Sequence, residues 1–295
     1  MSEPLLELEH VSKVFGGGGL MAQHQAVALQ DFSLRLEDDQ PSIIAVVGES
    51  GSGKTTMARI LLGLETPSSG RVLYHGQELS RLRGERWREY RREVQAIFQD
   101  PFGVYNSFYK VDRVLATPLK KFGLARSREE ARAMMEKALL AVGLTPADTL
   151  GRYPHQLSGG QRQRTMVART LLLRPRVIVA DEPVSMIDAS LRATVLGNLL
   201  QLKRQHGISL IYITHDLTTA YQISDSIIVL YHGEVVEQGD VELVNHPQHP
   251  YTKLLISSIP LPDPNRRWGD EEPEPELAAE IEPEVLPAST GPGPA

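Results

Sequence analysis

Eight residues constrain this chain more than any others: Gly48-Glu-Ser-Gly-Ser-Gly53-Lys54-Thr55, which fit the pattern G-x-x-x-x-G-K-[ST]. Residues 43–47 precede them as a short continuous apolar run, the pattern of a strand buried on both faces. Residues 54–64 follow with helical spacing, placing Met57, Ile60, Leu61 and Leu64 on one side. A strand, a glycine-rich loop and a helix in that order form a cradle for an anion. Glycine lets the backbone wrap closely, successive N–H groups point inward, and the helix start adds a favourable dipole. The motif assigns Lys54 to the β- and γ-phosphates of a nucleotide and the Thr55 hydroxyl to Mg²⁺. Gly48, Glu49, Ser50, Gly51, Ser52, Gly53 and Thr56 complete the phosphate-binding set, and the expected fold is α/β.

Two further segments complement this loop. Residues 177–180 are apolar and deliver Asp181 at the end of a strand, where ligands bind in open α/β sheets. A carboxylate there can hold the water shell of Mg²⁺, and Glu182 follows directly, placed to polarise an attacking water. The second segment is Leu157-Ser-Gly-Gly-Gln161-Arg-Gln-Arg164. Ser158, Gly159, Gly160 and Gln161 form another small-residue turn, opening a helix expected over 161–173, and hence a second anion-binding helix start. One nucleotide loop with two such starts implies a dimer in which each chain serves the other's nucleotide.

The rest of the chain reads more plainly. Strands are expected at 5–14, 27–36 and 210–213, with a late hairpin, 227–231 and 234–236, turned by His232-Gly233. Residues 16–19 are a glycine run between the first two strands. Ser127-Arg-Glu-Glu130 opens a helix with an apolar face from Ala131 to Val142, stopped by Gly143. Residues 81–92 hold six arginines, and Glu85/Arg88 and Glu89/Arg92 at i,i+3 spacing indicate a solvated, ion-paired helix face rather than a nucleic-acid patch.

Composition excludes several chemistries. Among 295 residues there is no cysteine, which removes disulfide scaffolds, thiolate zinc sites, iron–sulfur clusters and cysteine nucleophiles. No run of about 18 apolar residues occurs, and residues 1–10 lack the features of a secretory signal, so a cytoplasmic protein is expected. Residues 269–295 carry eight acidic residues and six prolines with no Lys or Arg, and are expected to be disordered. They dominate the formal net charge of −6; without them the remainder carries +2.

Taken together, these segments resemble the ATP-binding subunit of ABC transporters. The resemblance covers about residues 5–262 and implies a P-loop NTPase fold of ABC type. That fold has a mixed sheet core, an antiparallel β subdomain and an α-helical subdomain. It implies ATP and Mg²⁺ as cofactors. Phe15 matches the aromatic that stacks on adenine, and Gln99 the glutamine that senses Mg²⁺ and the attacking water. Ser158–Gln161 match the signature motif that meets the opposite subunit's γ-phosphate. Ser185-Met-Ile-Asp188 match the loop at the dimer interface, and His215 the switch histidine. Glu182, His215 and Gln99 are thereby the catalytic candidates; Thr55, Gln99 and Asp181 are the metal candidates.

The finer resemblance is to oligopeptide/dipeptide-type importers, carried by Phe98-Gln-Asp-Pro-Phe102, Asp188-Ala-Ser-Leu-Arg192, Tyr212-Ile-Thr-His-Asp216 and His246-Pro-Gln-His-Pro-Tyr-Thr-Lys253. It implies a cassette over residues 1–244 with a helical part at about 100–172. A C-terminal extension would follow at 245–265 and an acidic tail at 266–295. The implied partners are transmembrane permease subunits, a second ATP-binding subunit, identical or paralogous, and indirectly an extracytoplasmic solute-binding protein. Nucleic acid is not among them, and the implied location is peripheral, on the cytoplasmic face of the cell membrane. Asp38-Asp39-Gln40 and Val104-Tyr-Asn-Ser-Phe108 depart from the branch's usual wording, and the absent cysteines separate the chain from cluster-bearing relatives. A soluble ABC-type ATPase acting on DNA or ribosomes, a P-loop kinase, and an importer of sugar or nickel are the competing readings.

Overall fold

The computed structural model describes residues 3–16, 25–98, 105–185 and 189–259. Gln99, Asp188, residues 17–19 of the glycine run and the acidic tail lie outside the described residues. Ten strands and nine α-helices are described in chain order. The strands are β1 (Pro4–Phe15), β2 (Ala26–Glu37), β3 (Ile43–Val47), β4 (Ser69–Tyr74), β5 (Gln77–Glu78), β6 (Val94–Ile97), β7 (Val177–Asp181), β8 (Ser209–Thr214), β9 (Ser226–Tyr231) and β10 (Glu234–Asp240). The helices are α1 (Lys54–Leu61), α2 (Gly84–Glu93), α3 (Asp112–Phe122), α4 (Arg128–Ala141), α5 (Pro146–Thr149), α6 (Gly159–Leu171), α7 (Ala189–His206), α8 (Leu217–Ile223) and α9 (Pro250–Ser257).

The strands form two sheets. One has the order β2-β1-β4-β5 and is antiparallel; the other runs β10-β9-β3-β8-β7-β6. In the second sheet every neighbouring pair is parallel except β9 and β10, so the sheet is mixed as expected. Its central strands are apolar without interruption because both faces are covered. Ile43, Ala45 and Val47 enter one core with helices α3, α4, α6, α7 and α8, whereas Ile44 and Val46 enter another with α1 and the antiparallel sheet. The same alternation recurs in β7, where Ile178 and Ala180 face the helices and Val177 and Val179 face the other core.

Several expectations are adjusted. The helix after the glycine loop ends at Leu61, because Gly63 takes a φ of 65°, and Leu64 is 60% exposed rather than on the buried face. Helix α6 starts at Gly159, two residues before the expected point, since Ser158 is its N-cap and both glycines belong to its first turn. On α2, Glu89 pairs with Arg86 at 2.7 Å and Arg92 faces Glu93, while Arg88 donates to the Lys121 carbonyl. The face is ion-paired, but through partners other than the expected ones. The cap of α4 is as expected: the Ser127 hydroxyl accepts from the Glu130 amide at 3.1 Å, and Gly143 follows at φ 69°.

Candidate functional site

The parallel strands set the geometry. In the register of the mixed sheet Val47 lies opposite Thr214 and Asp181 opposite Ile213, so β3, β7 and β8 end together at one carboxyl edge. Residues 48–56, Asp181, Glu182 and His215 all leave the sheet there. β6 pairs Ile97 with Ala180, so it ends at the same edge.

The glycine loop fits closely among backbone atoms of its own chain. A Cβ added at Gly48 would overlap the Leu230 carbonyl oxygen, and one at Gly53 the carbonyl oxygen of Ala28. The hairpin turn between β9 and β10 closes the third side: the Gly233 amide donates to the Ser52 carbonyl at 3.0 Å, and the Gly233 carbonyl accepts from the Gln30 amide at 2.8 Å. By contrast, a Cβ at Gly51 would meet nothing within 4 Å, so this is the side on which the cradle is open. Gly53 caps α1 at φ 106° with no side chain to receive the amides of the first turn, which leaves those donors for an anion.

Lys54 is buried and folds back on the loop, donating to the carbonyls of Gly48 at 2.7 Å and Glu49 at 2.6 Å and to the Ser52 hydroxyl at 3.2 Å. Burial lowers its ammonium pKa, opposed by the charges of Glu182, Asp181 and Glu49. Asp181 shifts the other way: burial first, and Glu182 second, push its carboxyl up, and Lys54 opposes them. The three groups thus share one partly desolvated site.

Glu182 adopts φ 46°, an uncommon conformation for a residue with a side chain. Its amide donates to the Ile213 carbonyl at 2.9 Å, and its own carbonyl accepts from the Ser185 hydroxyl at 3.1 Å. The carboxylate lies 3.0 Å from His215 Nδ1. The next residue, Asp216, caps α8 through the amides of Thr218 and Thr219 and approaches Arg192 at 3.4 Å. A carboxylate and an imidazole in contact beside a lysine can orient a water and take its proton.

The remaining candidates sit as follows. Ser158 and Gln161 form a complete capping box, with the Ser158 hydroxyl accepting from the Gln161 amide at 3.2 Å and Gln161 Oε1 accepting from the Ser158 amide at 2.9 Å. Phe15 ends β1 opposite Ala26, is 43% exposed, and has the Lys13 ammonium 5.0 Å from its ring centroid. Thr55 is exposed and Thr56 half-buried on the first turn of α1. Sequence reasoning missed Tyr251, whose hydroxyl accepts from the Glu49 amide at 2.9 Å. The motif around it was visible, but nothing in its spacing says which distant backbone it touches.

Comparison with known proteins identifies this assembly. Residues 29–185 match the family model described as "ABC transporter". The chain belongs to the ABC transporter family. Residues 236–284 match a second model, "Oligopeptide/dipeptide transporter, C-terminal region". The chain is 43% identical over 239 residues to an oligopeptide transport ATP-binding protein, OppF, of Salmonella typhimurium, spanning 81% of this chain and 71% of that one. It is 41% identical over 268 residues to the OppF protein of Haemophilus influenzae, spanning 89% and 80%. Among solved structures, the dimeric ATP-binding cassette MJ0796, in a post-hydrolysis state with ADP and Pi, superposes with a TM-score of 0.70 at 28% identity, covering 80% of this chain and 98% of the other. The ABC region is an ATPase, and the α/β fold with a mixed sheet, an antiparallel sheet and a helical block is that of ABC cassettes.

Proposed function

We propose that this chain is the ATP-hydrolysing motor subunit of an importer that takes up oligopeptides through membrane permease subunits. One observation carries the reading: an ABC region and an oligopeptide-type C-terminal region occur on the same chain, at 29–185 and 236–284. That pairing favours an importer over an ATPase acting on DNA or ribosomes. The cassette would occupy residues 1–244, with its helical part at about 100–172, followed by the extension at 245–265 and the tail. Phe98, Phe108 and Tyr109 are each exposed, Phe108 to 88%, and exposed aromatic side chains suit contact with a permease. No helix among the described residues is long and apolar enough to cross a membrane, which fits a subunit docked peripherally on the cytoplasmic face.

In this reading Phe15 stacks on adenine, and amides of the loop at residues 48–56, other than that of Glu49, surround the phosphates. Lys54 exchanges its hold on the Gly48 and Glu49 carbonyls for the β- and γ-phosphates. No cluster of three His, Cys, Asp or Glu among the described residues could hold a metal alone. The hard oxygens of Thr55 and Asp181, with Gln99 and phosphate oxygens, suit Mg²⁺, which when bound neutralises phosphate charge. Glu182 orients water and accepts its proton, with His215 beside it and Gln99 assisting. Ser158 to Gln161 of a second ATP-binding subunit, identical or paralogous, would close over the γ-phosphate, with Asp188 at that interface.

Glu182→Gln should bind ATP as before and hydrolyse it about 10²–10⁴-fold more slowly, the scale of a lost general base. Near-normal turnover by this variant removes Glu182 from the role. Co-purification with permease subunits, and labelled peptide uptake by the reconstituted complex, tests the transport assignment. Transfer of the phosphoryl group to an acceptor other than water would replace it with a kinase.

A further inference from the structure

We propose that the Tyr251 hydroxyl is a positioning group for the ATP-binding loop, so that the C-terminal region of this chain sets the conformation of the residues that cradle phosphate. The inference rests on the proposed role of residues 48–56 in ATP binding.

The loop is held at Glu49 from two sides. Its carbonyl accepts from Lys54 Nζ at 2.6 Å and from the Ser52 amide at 3.2 Å, both within the loop. Its N–H goes to a group about 200 residues away, Tyr251 Oη at 2.9 Å. The two holds differ in permanence. Lys54 is needed at the phosphates, and when it turns to them the Gly48 and Glu49 carbonyls lose its ammonium. The Tyr251 bond makes no such exchange, so it is the hold that persists between the free and the loaded loop.

The tyrosine is itself fixed from several directions. It is fully buried, and its ring lies 4.1 Å from that of Tyr231, the last residue of β9. The preceding residue, Leu230, is the one whose carbonyl backs Gly48. Helix α9 is anchored by Glu237 of β10, whose carboxylate accepts from the amides of Gln248 at 2.8 Å and His249 at 3.1 Å. His249 Nδ1 in turn accepts from the Tyr251 amide at 3.2 Å. Glu237, Gln248, His249 and Tyr251 all fall within the matched C-terminal region. Burial pushes the Tyr251 phenol up to about 12, so it stays neutral at physiological pH. A neutral acceptor can hold an amide beside a triphosphate without repelling it, which a carboxylate in the same place would do.

The test uses the full-length chain, titrated with the fluorescent analogue mant-ATP in the presence of Mg²⁺. Tyr251→Phe keeps the ring and removes the acceptor; Leu255→Ala removes packing from the same helix without touching the loop. Both should lower Tm by a similar amount, about 2–4 °C. Only Tyr251→Phe should weaken mant-ATP binding, by about 5–20-fold, the effect of one lost buried hydrogen bond. Hydrogen exchange at the Glu49 amide should accelerate in that variant alone. Binding within about twofold of wild type with unchanged Glu49 exchange overturns the proposal, as does a Leu255→Ala variant that reproduces both effects. Failure of the wild-type chain to bind mant-ATP would instead sink the ATP-site reading itself.

Discussion

Two helices begin with glycines at turns proposed to bind phosphate, and they are built oppositely. At the start of α1 the glycines are required by the chain itself, because Cβ atoms at Gly48 and Gly53 would strike the carbonyls of Leu230 and Ala28. The first-turn amides there have no side-chain cap. At the start of α6 the reverse holds. Ser158 and Gln161 form a capping box that takes up the amides of both residues, and a Cβ at Gly159 would meet nothing within 4 Å. The first site is shaped from within and has no side-chain cap; the second carries a side-chain capping box, and its first glycine is not required by contacts within the chain. The capping box need not break to serve a phosphate, since a hydroxyl that accepts from the Gln161 amide can still donate its own proton.

The largest effect should come from placing one methyl group at each site. Gly48→Ala must displace backbone at φ 154° and should abolish ATP binding while lowering stability by about 3 kcal/mol or more, read by nucleotide titration and thermal melts. Gly159→Ala should leave both unchanged. Equal damage from the two would erase the contrast. Next in size is Ser158→Arg. Mant-ATP binding by the single chain should stay within about twofold of wild type, while the ATP-dependent dimer disappears from a sizing column. A surviving dimer would assign the α6 start to something other than a second subunit.

The smallest effect sharpens the electrostatic side. Burial raises the Asp181 carboxyl, so between its ordinary pKa and the raised one the folded chain keeps a proton that the unfolded chain has released. Stability therefore falls as pH rises through that window. Asp181→Asn removes the dependence and should raise the nucleotide-free Tm by about 2–4 °C at neutral pH, while impairing hydrolysis. Parallel Tm–pH curves for the two proteins would show that Asp181 carries no such strain.

What could be read from the sequence follows from range. The glycine loop, the buried strand 43–47 and the Ser127 cap are local patterns in which spacing alone fixes the backbone. Apolar periodicity continues past Gly63 to Leu64, although that glycine is the stop. Two adjacent glycines carry the local signature of a turn, whereas the Ser158 cap draws them into the first turn of α6. β6 has only four residues, and β5 two, too few to declare a period. The positive φ of Glu182 and the reach of Tyr251 were illegible for another reason: each is imposed by strands or helices remote in sequence.

The central strand has a history that its position conceals. β3 is synthesised early, yet both its sheet neighbours are late, 210–214 on one side and 226–229 on the other. At translation rates of about 5–20 residues per second, those partners emerge on the order of ten seconds after it. For that interval the growing chain carries its most apolar strand with both edges unpaired, a hazard for aggregation. The site at its end closes only when the hairpin turn at Gly233 and then Tyr251 arrive. The contacts that hold the glycine loop are therefore completed only after Tyr251 has been made.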